Sequence, residues 1–455
     1  MNLACRLHGL TRRWAVWLAI LAAFFAVCSP GARAQESAAS AGLDLSLSGF
    51  GTVSWARSDQ RFAYQRFVTD QGTFRRDSLL GAQLDARFGQ TGLGATLQGR
   101  VVPSLEDDGR YDARLAWAFV SWRPDNNWLT RLGRLRVPLY MNSETTEVGV
   151  TFDLAHQPGE LYTTTLLPST DFNGLSISRS LSLEEYGDIT LDLYAGNQRS
   201  STRMFWRDDI DGFQSRGPFA VPLDMAARGL VLNWRNEADD QQLRVGFHHI
   251  STQIVDPHQF LNESFPWVEP LPGVGYYKTN SMMPGPELVQ TRRFDYRFAT
   301  LGVSIPLPSA FKLIAEASVR EAEGSRMVPR FSQGYLALQR RTGAWTPYAV
   351  WAWLKSADSQ LAEYVALNSN RVPPSMAFAP LLNASQRAGA DQFFAYDQHS
   401  LALGTSYRID PRQLLKFEVQ QVDIGKVSQL VDTPAGEDSG GRTIRIVTLG
   451  YSFVF

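Results

Sequence analysis

Gly187-Asp-Ile-Thr-Leu-Asp-Leu-Tyr-Ala-Gly-Asn197 alternates from end to end. Ile189, Leu191, Leu193 and Ala195 fall on one side of an extended chain, and Asp188, Thr190, Asp192 and Tyr194 on the other. A period of two means a strand with one apolar and one polar face. Strands of soluble sandwiches run ~5–6 residues, whereas ~9–11 residues cross a bilayer at a tilt. The stretch therefore reads as a membrane-crossing strand, its apolar face toward acyl chains and its polar face toward water.

The pattern recurs. Leu313, Ala315, Ala317 and Val319 oppose Lys312, Glu316 and Arg320; Leu243, Val245 and Phe247 oppose Arg244 and His248; Leu415, Phe417 and Val419 oppose Lys416 and Glu418. With Asp188 and Asp192, these polar residues are the candidates to face a lumen. Sixteen such segments are predicted, centred near Gly49, Leu84, Leu97, Phe119, Gly133, Ile177, Leu191, Val231, Val245, Gly302, Ala317, Leu338, Val350, Leu403, Phe417 and Leu449. An even number is what single-chain bacterial barrels require. The fold class is all-β: a transmembrane antiparallel barrel, sixteen strands in preference to eighteen. The open point is 251–293, long enough to hold a further hairpin.

Connections alternate in length. Short turns rich in Gly, Pro, Asn and Asp are expected at 89–92, 124–127, 180–186, 236–240, 306–310, 341–344 and 410–413. Long polar loops are expected at 57–77, 103–113, 138–173, 197–225, 251–293, 321–331, 355–393 and 423–441, with a short helix over Leu361–Ser369 shielding the outer mouth. Short periplasmic turns and long extracellular loops are the asymmetry of outer-membrane barrels. Trp117, Trp128, Trp234, Trp345, Trp353 and Tyr451 lie near strand ends, where an aromatic belt belongs.

Residues 1–34 read as a cleaved secretory signal: Arg6, Arg12 and Arg13, an apolar run from Trp14 to Val27, then Ala32-Arg33-Ala34. Maturation at Gln35 leaves one barrel domain, 35–455, with 40 basic and 45 acidic residues. Both cysteines, Cys5 and Cys28, leave with the signal, which excludes disulfides and thiol chemistry. The charge balance argues against a nucleic-acid binder, which carries a clear basic excess. The histidines lack ligand spacing, and His248-His249 point to opposite faces of a strand. There is no nucleophile elbow or phosphate loop. No catalytic, metal or cofactor site is expected, and the protein is not read as an enzyme.

The chain ends Tyr451-Ser-Phe-Val-Phe455, with Tyr451, Phe453 and Phe455 on one face. This resembles the signal by which the barrel assembly machinery recognises its substrates. Ser48-Gly-Phe-Gly-Thr-Val-Ser54 resembles the first strand of Gram-negative porins, Leu132-Gly-Arg-Leu-Arg-Val-Pro138 the strand entering the constriction loop, and Leu401–Arg408 with Leu415–Val419 the penultimate hairpin. The likeness to the porin superfamily spans the mature chain and is thin per residue. It implies a sixteen-stranded barrel, often a homotrimer, surrounded by outer-membrane lipid and lipopolysaccharide and passing small hydrophilic solutes.

The resemblance also implies that loop 138–173 folds into the lumen. That loop carries Glu144, Glu147, Asp153, Glu160 and Asp171 and no Lys or Arg. Arg100, Arg134 and Arg136 would face it from the wall. Turning Leu129, Gly133, Leu135 and Val137 to lipid puts Arg134 and Arg136 inside and leaves Arg131 outside near the short turn. The opposite choice sets Arg134 nearer the midplane, at a cost of ~2–4 kcal/mol. Arginines opposite carboxylates would make a transverse field that sorts ions; alternatively the acids pin the loop. Passive diffusion is the first functional reading. Channels selective for anionic or carbohydrate solutes, and a closed barrel serving as a scaffold, are the alternatives.

Overall fold

The computed structural model describes residues 42–162, 171–210 and 214–455. The signal segment and the start at Gln35 lie outside the described residues. Sixteen antiparallel strands close into a barrel. They are β1 Leu43–Ser58, β2 Leu79–Phe88, β3 Leu93–Pro103, β4 Tyr111–Trp122, β5 Trp128–Arg136, β6 Asp171–Ser182, β7 Asp188–Trp206 and β8 Gly217–Asn236. The second half is β9 Gln241–Ile254, β10 Arg293–Leu307, β11 Phe311–Glu323, β12 Phe331–Arg340, β13 Trp345–Ser356, β14 Tyr396–Asp410, β15 Gln413–Ser428 and β16 Thr443–Val454. All sixteen expected centres fall inside these strands.

The wall is apolar outside and polar inside. On β14 Leu403 is 58% exposed while Ser406 is 1% exposed. An outward band of Leu191, Leu193, Leu230, Leu232, Leu301, Leu403, Phe417 and Leu449 has no protein cover. Water would penalise so continuous an apolar belt, and a bilayer removes the penalty. β1 closes on β16 from Phe50↔Val454 to Ser58↔Ile446. Phe455 continues the ladder, accepting from the Gly49 amide at 2.8 Å and donating back at 2.9 Å. The stacked Tyr451, Phe453 and Phe455 rings lie over bare backbone; a Cβ on Gly51 would stand 2.6 Å from the Phe453 ring.

Three expectations change. The loop predicted at 197–225 shrinks to 207–216, because β7 and β8 run 19 and 20 residues and stay paired to Trp206↔Gly217. That is about twice what the bilayer needs, so both strands continue beyond it. Loop 255–292 does hold a hairpin, Trp267–Leu271 with Val274–Tyr277, but it forms a separate small sheet and leaves the wall at sixteen. The predicted loop 355–393 contains two helices, α1 Asp358–Ser369 and α2 Ala379–Asp391, not one short helix.

The larger departure is inside. Above the level of Arg228, His249 and Arg297 the strands keep their phase, but the chemistry swaps faces. On β8 Leu230 and Leu232 face out, whereas higher up Val221, Leu223 and Met225 are buried inside and Asp224 and Arg228 are exposed. On β10 Leu301 faces out, while Phe294, Tyr296 and Phe298 are buried and Arg293 and Arg297 exposed. These inward side chains pack against Leu139, Tyr140, Leu154 and Leu161 of the loop after β5 and against Leu361, Tyr364 and Leu367 of α1. The outer part of the bore on the β7–β14 side is therefore an apolar core, where the sequence predicted a water-lined wall.

Candidate functional site: the loop across the bore

The chain leaves β5 at Val137 and turns into the barrel. Strands around much of the wall hold it. Tyr162 donates its hydroxyl to Glu316 of β11 at 2.6 Å, and the Met141 amide donates to the other oxygen at 2.7 Å. Tyr335 of β12 adds a third bond to Glu316, 2.8 Å long. The Ala155 amide donates to the Tyr348 hydroxyl on β13 at 2.8 Å. Asp153 accepts from Ser406 at 2.9 Å and stands 3.4 Å from Arg408, both on β14. His156 lies 3.1 Å from Glu418 of β15. Gly149 sits so close to β1 and β16 that a Cβ would meet Ser452 Oγ at 2.2 Å and Thr52 Oγ1 at 2.6 Å.

The predicted constriction charges come together, as direct pairs. Glu147 binds Arg100 of β3 and, at 2.9 Å, Arg136. Arg100 and Arg136 also reach the buried Asp171, at 2.6 and 3.4 Å. Arg134 stands 3.7 Å from Asp171 and donates to the Leu115 carbonyl at 2.7 Å. Glu144 pairs with Arg131 at 3.1 Å. This corrects the outward placement of Arg131. Arg131 and Arg136 both meet the loop although they stand five positions apart, which strict alternation would put on opposite faces. Gly133 lies between them with φ 137° and absorbs the change of side. A similar irregularity moves Trp117 out of the expected belt: Gln98 pairs with Trp117 but Gly99 with Leu115. The extra residue, Ala116, is a bulge, and Trp117 joins the inward face of Gln98.

Other candidate lumen residues divide by role. Asp192 accepts from Ser178, and Asp188 lies at the exposed turn end. Lys312 reaches Asp240 at the same rim, 2.6 Å away. Arg244 donates to the Pro138 carbonyl of the loop at 2.7 Å, and His248 is buried against the Tyr194 hydroxyl at 2.7 Å. Glu316 and Glu418 are loop anchors. Arg320, 1% exposed, lies between the rings of Phe298, Phe331 and Tyr296 at 4.2, 4.5 and 5.0 Å, away from open space. Such caging is favourable for a desolvated guanidinium.

Two cavities flank the loop and share Tyr140 and Ser143. The one toward the short turns has a volume of about 360 Å³ and is lined by Arg131, Glu144, Asp192 and Arg244 among others. The one toward the long loops is about 460 Å³. Its ionisable lining is six basic residues (Arg66, Arg76, Arg100, Arg114, Arg203 and Lys416) against three acids (Asp77, Glu147 and Asp432), with His156. Among the described residues Lys416 makes no ion pair; its ammonium stands 3.8 Å from the Phe152 ring. Arg66 and Arg76 escaped sequence reasoning because the loop that aims them inward carries no periodic signal, and Arg203 because it lies on the outer extension of β7, which was expected as loop.

No family model and no curated protein matches the chain. Solved structures do. OprB from Pseudomonas putida superposes with a TM-score of 0.50 at 10% identity, over 91% of this chain and 94% of that one. An anion-selective porin from Comamonas acidovorans gives 0.49 at 12% identity, over 91% and 100%. The outer-membrane channel DcaP of Acinetobacter baumannii gives 0.48 at 11%, over 92% and 99%. At such identities the likeness speaks for architecture. A closed wall of sixteen alternating strands, an apolar belt and an infolded loop give this chain the fold of the Gram-negative outer-membrane porins.

Proposed function

We propose that the protein is an outer-membrane channel selective for small anionic solutes. The observation that carries this reading is the 460 Å³ cavity, where Arg66, Arg76, Arg100, Arg114 and Arg203 are paired with acids while Lys416, with no ion pair among the described residues, leaves a positive excess. A narrow, low-dielectric passage magnifies such an imbalance. In this reading Arg100, Arg134, Arg136, Glu144, Glu147 and Asp153 pin the loop, because their charges already neutralise one another. Lys416 and Arg244 act on the solute. The apolar packing on the β7–β14 side favours a selective channel over a wide general pore. Insertion by the barrel assembly machinery, contact with lipopolysaccharide and a homotrimer that covers part of the belt belong to the same proposal.

The test is the reversal potential of the refolded protein in a planar bilayer under a KCl gradient. Chloride should permeate several-fold faster than potassium, and Lys416→Glu should reduce the ratio. A wild-type ratio at or below unity sinks the proposal. Liposome swelling should be slow with neutral sugars; fast swelling would favour the general pore.

A further inference from the structure

A third cavity, about 320 Å³, lies between the outer ends of β7–β10 and the loop 255–292. Its walls are unlike those of the charged cavity. Trp206 and Phe219 stack at 4.7 Å with an interplanar angle of 11°, and Phe260, Phe294, Tyr296 and Phe394 complete an aromatic box. Two polar atoms stand out. The hydroxyl of Tyr296, a residue 1% exposed, and the buried Oε1 of Gln259 have no hydrogen-bond partner among the described residues. A buried hydroxyl left unpaired is destabilising, so the site is short of a polar group.

We propose that this cavity binds a single-ring aromatic solute bearing one polar substituent, the ring in the box and the substituent on Tyr296. The size fits: a cavity of ~150 Å³ takes benzene, and 320 Å³ adds room for a short substituent. The polarity excludes the alternative use of aromatic walls, stacking on a sugar. A sugar carries several hydroxyls, whereas the walls here are mostly apolar and Asn262, Thr279 and Asn280 already spend polar atoms on hydrogen bonds within the protein. The position fits a channel, because Thr202 and Phe394 line both this cavity and the charged one. A ring held here stands at the entrance to the cationic passage. The inference rests on the channel reading above and narrows its solute to aromatic compounds, with anionic ones favoured onward.

The experiment is calorimetric titration of the full refolded barrel in detergent with phenol and benzoate, and with glucose and acetate as ringless controls. Phenol and benzoate should bind saturably and glucose and acetate should not. Val221→Phe, which fills the cavity, should weaken phenol binding at least tenfold relative to the wild type in the same micelles. Tyr296→Phe keeps the ring and removes the hydroxyl, and should weaken it about fivefold. Glucose binding as tightly as phenol, no saturable phenol signal, or unchanged affinity in Val221→Phe overturns the site. If Val221→Phe does not fold, unchanged affinity in Tyr296→Phe overturns it alone. Failure here with chloride selectivity intact removes the aromatic site and leaves the channel proposal standing. Phenol binding without chloride selectivity does the reverse.

Discussion

Asp171 shows how much a single side chain can depend on its neighbours. It is 1% exposed and sits among Arg100, Arg134 and Arg136. Removing a partner from a buried charge cluster costs ~3–5 kcal/mol, because the remaining charge stays desolvated. Arg136→Ala should therefore lower the thermal midpoint in detergent substantially, while Arg199→Ala, at an exposed pair, should leave it unchanged. Equal effects would mean that the cluster is not buried as described. Gly149 is the second case. The loop approaches β1 and β16 closer than any side chain permits, so Gly149→Val should push it off that wall. Single-channel conductance should rise; an unchanged value would show that the loop does not touch the wall there. Neither residue was legible in the sequence beyond its type. Asp171 was one loop acid among five, and Gly149 one glycine in a loop.

At the scale of elements, the loop after β5 and the helices after β13 are held by side chains distant in sequence. Glu316 collects three bonds from Tyr162, Met141 and Tyr335. Glu316→Ala removes an acceptor of three hydrogen bonds, each of which contributes about 0.5–1.5 kcal/mol. The loop should loosen, seen as added current noise with the barrel still folded. Quiet current would assign the anchoring elsewhere. Helix α2 is tied to loop 207–216 through Arg387 and Asp208, 2.5 Å apart. Burial pushes Asp208 up, but Arg387, the Gly436 amide and Arg207 more than offset it and hold the carboxyl below its ordinary value. A depressed carboxyl stabilises the folded arrangement above its unfolded value near ~3.9 and loses that contribution as pH falls further. Protease protection of these loops should hold at pH ~5 and decline toward ~3, with Asp208→Asn already weakened at the higher pH. Equal protection at both values would remove Asp208 from the clamp. The helix expected over Leu361–Ser369 is present and begins earlier, at Asp358. The second, Ala379–Asp391, was not anticipated; it packs against the first helix, where Gly389 lies beside Leu367.

At the scale of the whole molecule, the barrel is closed by the β1–β16 ladder, which Phe455 extends. Phe455 contributes both ladder bonds to Gly49 and the end of the aromatic stack. If Tyr451, Phe453 and Phe455 are also read by the assembly machinery, deleting Phe455 should reduce the membrane-inserted fraction in cells several-fold. Refolding in detergent should be much less affected. Equal losses in both would make the terminus purely a closure element.

Strand number and strand direction were written in the chain, because a two-residue period and the spacing of turns are local properties that each segment carries by itself; the site of the infolded loop came from the porin resemblance. Which face meets lipid along the full height of a strand was not. Above Arg228 and Arg297 the same alternation serves the opposite environment, since the bilayer ends there and the loops supply an apolar interior. The sides taken by Arg131 and Trp117 turned on one glycine and one bulge. Whether the loop's carboxylates stand across a gap or pair with the wall is a matter of distance between segments far apart in sequence, and only folding sets that distance.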